Sequence, residues 1–328
     1  MKKLFLMLAA AAAVVSCSKD YTIVADQGEA IEFGSFVENS TRADAATDPS
    51  YSTTGNGTPL TQFNVYGAVG GVNIFNGNTV TKGDKAYNAA WTLTGAKQYW
   101  IAGANYKFVG VVDGSKTGVT EITPDDAGLP KSISYTSDGA TDLLCDVVTV
   151  NNAAAPYPLV AFEFTHLLSK VKFSVKNTST DAANYRFVLT SANLTNAYES
   201  GVYDVTAEAW DVDEMAGSKK FYLDLLTINS AATQYHNTEL LLLPGASVGV
   251  YVKAEIQATD NGTTWKKVSE VEKTFSNVVT LAQATAYNFV VELGVGTEIQ
   301  FTATTMSEWG NGNTTDTNED GVNDSVVL

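Results

Sequence analysis

Lys170-Val171-Lys172-Phe173-Ser174-Val175-Lys176 alternates polar and apolar side chains without a break. A β-strand turns successive side chains to opposite faces, so Val171, Phe173 and Val175 share one face while the lysines and Ser174 take the other. The same period of two returns in SVGVYVKAEIQ at 247–257, where Val248, Val250, Val252, Ala254 and Ile256 line one side. YRFVL at 185–189, AYNFVVEL at 286–293 and EIQFTAT at 298–304 repeat it. Between such runs lie clusters of turn residues, for example TDNGTT at 259–264. No amphipathic helix is evident beyond the first seventeen residues. Many short strands separated by turn signals predict an all-β chain of antiparallel β-sandwiches.

Upstream, the chain opens with Lys2 and Lys3, continues with an apolar run from Leu4 to Val15, and reaches Ser16-Cys17. The charged start and apolar middle are those of a signal peptide. The run is shorter than the roughly 20 apolar residues that a membrane-spanning helix needs. A cysteine at the expected processing point looks like a bacterial lipobox, in which the thiol of Cys17 is acylated and begins the mature chain. The plainer alternative is an ordinary signal peptide with an incidental cysteine.

Composition narrows the function classes. The 328 residues suffice for about two domains, and 45% hydrophobic against 17% charged residues allows a substantial core. Net charge is −16, and loss of Lys2 and Lys3 would make it more negative. Phosphate backbones require clustered Lys and Arg, so nucleic acid is excluded as a partner class. Beyond Cys17 the only cysteine is Cys145, in DLLCDVV, so no intrachain disulfide is available to the exported part. Its apolar strand-like setting marks Cys145 as a small buried residue rather than a nucleophile.

Apparent catalytic motifs fail on context. Gly245-Ala246-Ser247-Val248-Gly249 matches G-x-S-x-G, but that elbow needs a strand-to-helix turn, whereas here a period-two strand follows. The two histidines, His166 and His236, form no cluster of zinc-site spacing. His166 lies in a strand-like run and reads as a packed, hydrogen-bonded histidine. No convergent acid–base set is visible, so the chain reads as no enzyme and needs no cofactor. Asp316, Asn318, Asp320 and Asp324 place oxygen ligands at the spacing that opens a calcium loop. Val327 stands where that loop would want a bidentate glutamate, and flanking helices are missing, so a solvated acidic tail is the default and calcium a weak candidate.

Two composition shifts suggest boundaries. Residues 38–59 are small, polar and turn-prone, and NNAAAPYP at 151–158 carries two prolines among small residues. The segment before the first of these, AIEFGSFV at 30–37, places Ile31, Phe33 and Val37 on one face, as a strand to be buried. Soon after comes Thr41-Arg42-Ala43. Arg42 is one of two arginines, with Arg186, and the only basic residue between Lys19 and Lys82. A lone arginine in an extended polar stretch is an accessible target for a trypsin-like protease.

Several pieces together resemble the fimbrillin family, the lipoprotein pilins of Bacteroidales-type (type V) pili. They are VVSC at 14–17, TRA at 41–43, QYWIAGANYKFVGVV at 98–112, TDLLCDVV at 141–148, FEFTHLLSKVKFSVKN at 162–177 and IQFTATTMSEW at 299–309. Their order along the chain also agrees with the family.

The resemblance implies two tandem transthyretin-like sandwiches, residues 43–155 and 156–309, after a signal peptide (1–17) and a pro-segment (18–42), with an acidic tail at 310–328. It implies an outer-membrane lipoprotein acylated at Cys17 and displayed at the cell surface in a fimbria. It further implies cleavage of the Arg42–Ala43 bond by an arginine-specific protease. Loss of the strand holding Ile31, Phe33 and Val37 would open a groove for a strand of a neighbouring subunit. Two C-terminal donors fit by alternation: Ile299, Phe301 and Ala303, or Val326 and Leu328. The partners implied are other fimbrial subunits, the protease and a surface receptor. The alternative from another class is a non-polymerising surface lipoprotein that binds glycan or protein through exposed aromatics.

Overall fold

The computed structural model describes residues 28–37, 60–82, 91–112, 118–223, 225–229, 234–235, 239–306 and 325–327; for 35–37, 234–235 and 325–327 it describes the backbone. In chain order the first strands are β1 (Phe33–Val37), β2 (Gln62–Val69), β3 (Val72–Lys82), β4 (Trp91–Leu93) and β5 (Tyr106–Val112). Next come β6 (Val119–Pro124), β7 (Pro130–Thr136), β8 (Leu144–Val150), β9 (Val160–His166) and β10 (Ser169–Asn177). They are followed by β11 (Tyr185–Ala197), β12 (Ser200–Asp204), β13 (Ala209–Trp210), β14 (Lys219–Tyr222), β15 (Thr227–Ile228) and β16 (Gln234–Tyr235). The last are β17 (Leu240–Leu242), β18 (Ser247–Ala258), β19 (Lys266–Thr280), β20 (Ala286–Leu293), β21 (Gln300–Met306) and β22 (Ser325–Val327). A single 3₁₀ turn at Val212–Glu214 is the helical element among the described residues.

The N-terminal half is a seven-stranded sheet in the order β1-β9-β8-β5-β2-β3-β4. Its edge strands β1 and β4 come into contact, so the sheet curls around its own concave face. Phe63, Phe75, Tyr106, Phe108, Phe162 and Phe164 fill that interior. The β2–β3 hairpin turns through Gly70 and Gly71 at φ +54° and +82°, the left-handed pair that a two-residue hairpin requires. On the convex side lies a four-stranded sheet, β13-β12-β7-β6. Central β5 is consequently buried on both faces: Tyr106 and Phe108 point inward, Val109 and Val111 toward the second sheet. Its sequence YKFVGVV therefore reads as a nearly continuous apolar run.

The C-terminal half is a sandwich. One sheet runs β16-β10-β20-β21-β22, with β17 also on β10; the other runs β14-β11-β18-β19, with β15 also on β11. Val171, Phe173 and Val175 meet Val248, Val250 and Val252 in the core between them, as the alternation predicts.

Two features depart from a strictly tandem arrangement divided at residue 155. Strand β9 lies beyond NNAAAPYP yet belongs to the first sheet, pairing with β8 (Leu144↔His166, Cys145↔Thr165) and with β1. The proline-rich stretch is thus a connection within one sheet, and the chain enters the second sandwich only after His166. Strands β12 and β13, from the C-terminal half, complete the sheet of β6 and β7, with Ser200–Asp204 paired against Ser132–Thr136. The halves share a core in which Ile133 and Tyr135 pack with Leu167, Trp210, Leu241 and Leu243.

Candidate functional site

Residues 28–37 close the seam of the curled sheet. Phe33–Val37 runs parallel to β9, in register from Phe33↔Val160 to Val37↔Phe164. Just upstream the chain turns its hydrogen bonds to the other side: Ile31 N–H donates to Gln98 O (2.9 Å) and Trp100 N–H to Glu29 O (3.0 Å). Val160 N–H donates to Glu32 O (3.0 Å). One short segment therefore satisfies backbone groups on two separate edges.

Its side chains finish the interior. Ile31 and Phe33 are 4% and 5% exposed. The Phe33 ring meets Phe75 edge-on at 5.4 Å and Phe108 at 5.9 Å, and stacks on Phe162 at 6.3 Å. Gly34 allows the closest approach, because a Cβ there would stand 2.9 Å from Leu159 Cδ2. Val37 takes its place in the backbone register, but its side chain lies outside the described residues, as do Cys17, Arg42 and Ala43.

The surroundings of this seat are apolar and almost free of titratable groups. Tyr106 and Tyr157 line it; the Tyr106 hydroxyl accepts from Ile101 N–H at 2.6 Å, and burial pushes its pKa up. Trp100 packs edge-on against Tyr106 at 4.7 Å and stacks on Tyr157 at 5.6 Å. The arrangement is suited to holding an extended peptide through main-chain bonds and side-chain pockets, the mode of strand addition.

The other singled-out residues sit elsewhere. At the C-terminal end, β21 pairs with β20 from Glu292↔Gln300 to Ala286↔Met306. Ile299 is buried, and Phe301 packs between Phe275 (5.4 Å) and Phe289 (5.3 Å), with Ala303 against the same core. Strand β22 adds to the outer edge of β21, with Val326 opposite Thr305. Leu328 and the tail residues Asp316, Asn318, Asp320 and Asp324 lie outside the described residues, as does His236. Ser247 opens β18 and shares a 2.7 Å hydrogen bond with Thr280 Oγ1. His166 Nδ1 meets Asp142 Oδ2 at 2.7 Å, both buried at the junction of the halves. Among the described residues no three His, Cys, Asp or Glu converge on a metal position. Cys145 is buried, and desolvation pushes its thiol pKa up.

Sequence reasoning missed two buried ionisable side chains, Asp142 and Lys170. Lys170, read as solvent-facing, is fully buried and paired with Glu239 at 2.5 Å. Alternation assigns it to the polar face, but no local pattern reveals that this face is covered.

A model of the fimbrillin-like family matches residues 41–309. The chain belongs to that family. Two solved structures share the fold. A fimbrial protein from Bacteroides vulgatus has a TM-score of 0.59 at 14% identity, over 86% of this chain and 100% of that one. A candidate cell adhesion protein from Bacteroides uniformis has a TM-score of 0.54 at 16% identity, over 85% of this chain and 99% of that one. No curated protein matches. The fimbrillin-like match begins at residue 41, so the segment that seals the aromatic interior precedes the matched region.

Proposed function

We propose that this fimbrillin-like protein is a structural subunit of a surface fimbria, exported as a lipoprotein through Cys17. An arginine-specific protease cuts the Arg42–Ala43 bond, and a strand of the next subunit then replaces β1. The observation that carries this reading is the seating of residues 28–37. The segment contributes Ile31 and Phe33 to the core, yet precedes both Arg42 and the family match. Its loss would leave unpaired backbone groups on β9 and on residues 98–100 above an open apolar floor, a template for another strand. A donor reproducing every contact runs parallel to β9.

The second arginine supports the choice of Arg42. Arg186 lies within β11, paired to β18, with its guanidinium bonded to Gln257 and over the Trp265 ring at 4.6 Å. A protease needs an extended, unpaired backbone, which β11 does not offer. Of the two donor candidates, the terminal segment with Val326 and Leu328 is favoured. Ile299, Phe301 and Ala303 are built into the C-terminal sandwich, whereas β22 is a three-residue edge addition.

The test is treatment of the full chain with an arginine-specific protease, followed by N-terminal sequencing and electron microscopy. The expected result is a resistant core beginning at Ala43 that forms fibres, with Arg42→Ala uncut and monomeric. Processed subunit lacking residues 325–328 should accept a donor but offer none, so that it terminates chains. A first cut within β2–β21, or fibres that extend equally well from the truncated subunit, would refute the respective step.

A further inference from the structure

Three loops meet at the end of the curled sheet where residues 28–31 enter: Val69–Val72, Gln98–Asn105 and Asn151–Leu159. They are knitted together. Gly70 N–H donates to Asn105 O (3.0 Å), Gly103 N–H to Ala153 O (2.8 Å), and Ala153 N–H to Ala104 O (2.9 Å). Asn152 N–H donates to Asn105 Oδ1 (2.8 Å), and the Trp100–Tyr157 stack lies beneath.

In a chain of net charge −16, this pole is uncharged over long stretches. No Asp, Glu, Lys or Arg occurs in 62–81, 98–106 or 147–162. The charges beside it are exposed Glu29, whose carbonyl accepts from Trp100 N–H, exposed Glu32, whose carbonyl accepts from Val160 N–H, and Lys97. Its surface instead presents Tyr99 (42% exposed), Ile101 (36%) and Leu159 (56%) among exposed alanines and prolines. Scattered exposed apolar residues need no explanation, but three on one set of linked loops form a patch of the kind that meets a partner or a membrane. The loops at the far ends of β10 and β20 are the contrast: 178–184, 259–264 and 294–298 are polar and carry exposed Asp181, Asp260 and Glu298.

What covers the patch follows from where the chain enters. Gly28 lies at this pole, because Glu29 and Ile31 bond to Trp100 and Gln98. Cys17 stands eleven positions earlier, a reach of at most about 40 Å when extended. We propose that this pole is a membrane-contact face. While the chain is tethered through Cys17, Ile101 and Leu159 enter the interfacial region of the bilayer and Tyr99 lies at headgroup level, where aromatic and aliphatic side chains with polar neighbours are favoured. The protein's negative charge opposes anionic headgroups, so the surface that fits is zwitterionic. Three side chains do not hold the protein on a bilayer alone; they orient a chain that the lipid already holds, and removal of residues 1–42 releases both.

The proposal rests on the lipid-anchor reading, and the test keeps the two apart. The chain from Cys17 onward is coupled through that thiol to a maleimide lipid in phosphatidylcholine–phosphatidylethanolamine vesicles; buried Cys145 does not compete. Tethering then does not depend on native acylation, which the mass of the N-terminal peptide from the native host reads separately. Amide hydrogen exchange is compared with the uncoupled chain. Exchange across 98–105 and 151–159 should slow roughly tenfold on vesicles, while 178–184 and 259–264 are unchanged. Tyr99→Ser with Ile101→Ser, at exposed positions, should abolish the protection without lowering the melting temperature. Equal exchange with and without vesicles, or equal slowing at both sets of loops, overturns the proposal. Protection that instead rises with protein concentration in the absence of lipid overturns it in favour of a second copy on this face.

Discussion

Replacing Phe33 with alanine tests directly how the N-terminal segment is held. Phe33 is 5% exposed and packs against three rings, on β3, β5 and β9. Truncating such a side chain costs about 3–5 kcal/mol, transfer and cavity together. At tenfold per roughly 1.4 kcal/mol, detachment of residues 28–37 becomes about a hundredfold to several-thousandfold more frequent. The amides of Ile31, Trp100 and Val160 are bonded across the seat, so their hydrogen exchange reports detachment. They should exchange faster by that factor in Phe33→Ala. The amides of Val250 and Val252, deep in the C-terminal sandwich, should keep their wild-type rates. Glu32→Ala, at an exposed neighbour, should change exchange little, within about 0.5 kcal/mol. If Phe33→Ala and Glu32→Ala exchange alike at Val160, the seam is not held by the aromatic interior.

Three further outcomes are expected. A thiol reagent added to the folded chain at mildly alkaline pH should leave Cys145 unmodified and reach it only on unfolding, because burial both shields the thiol and pushes its pKa up; peptide mapping checks this. Asp142→Ala removes the buried carboxylate bonded to His166 Nδ1 and should lower stability by about 1–3 kcal/mol in a denaturant titration; an unchanged midpoint would show that the pair does not brace the junction. On the outer face of β18 and β19, hydrogen bonds from Lys253 and Lys267 hold the Glu270 carboxyl below its usual range. A lowered folded pKa contributes stability that is present above about pH 4.3 and is lost as pH falls through the folded value. The stability difference between wild type and Glu270→Gln should therefore shrink on acidification and in high salt; a difference that grows at low pH would contradict the sign.

Much of this architecture was legible in the sequence because alternation is a local record of burial. Alternation assigns Val171, Phe173 and Val175 to a core face, and they lie in one. Alternation puts Ile31, Phe33 and Val37 on one face of a strand to be buried; Ile31 and Phe33 lie in the aromatic interior, and the Val37 side chain is outside the described residues. Lys170 and Ser174 follow the same alternation yet are fully buried, since a period of two says which residues share a face but not whether that face is covered. The NNAAAPYP stretch read as a boundary because prolines and small residues mark linkers and tight connections alike. The pairing of β9 with β8 and with β1 distinguishes the two, and those contacts are long-range. The crossing of β12 to the edge of β7 has no local signal, for SGVYD fits any half-buried edge.

The shared sheet has a consequence for the order in which the chain can fold. As the polypeptide emerges N-terminus first, β7 waits for β12, and Ile133 and Tyr135 wait for Trp210, Leu241 and Leu243. Neither half is finished before most of the other has arrived. Closure by partners so distant in sequence is slow, and an unpaired β7 edge over an open apolar face is prone to stray association meanwhile. A fragment ending near residue 166 should be sticky rather than native. The complete chain should melt as one cooperative unit, because β12 and β17, made after the first sheet, complete the sheet and the core that β7 begins.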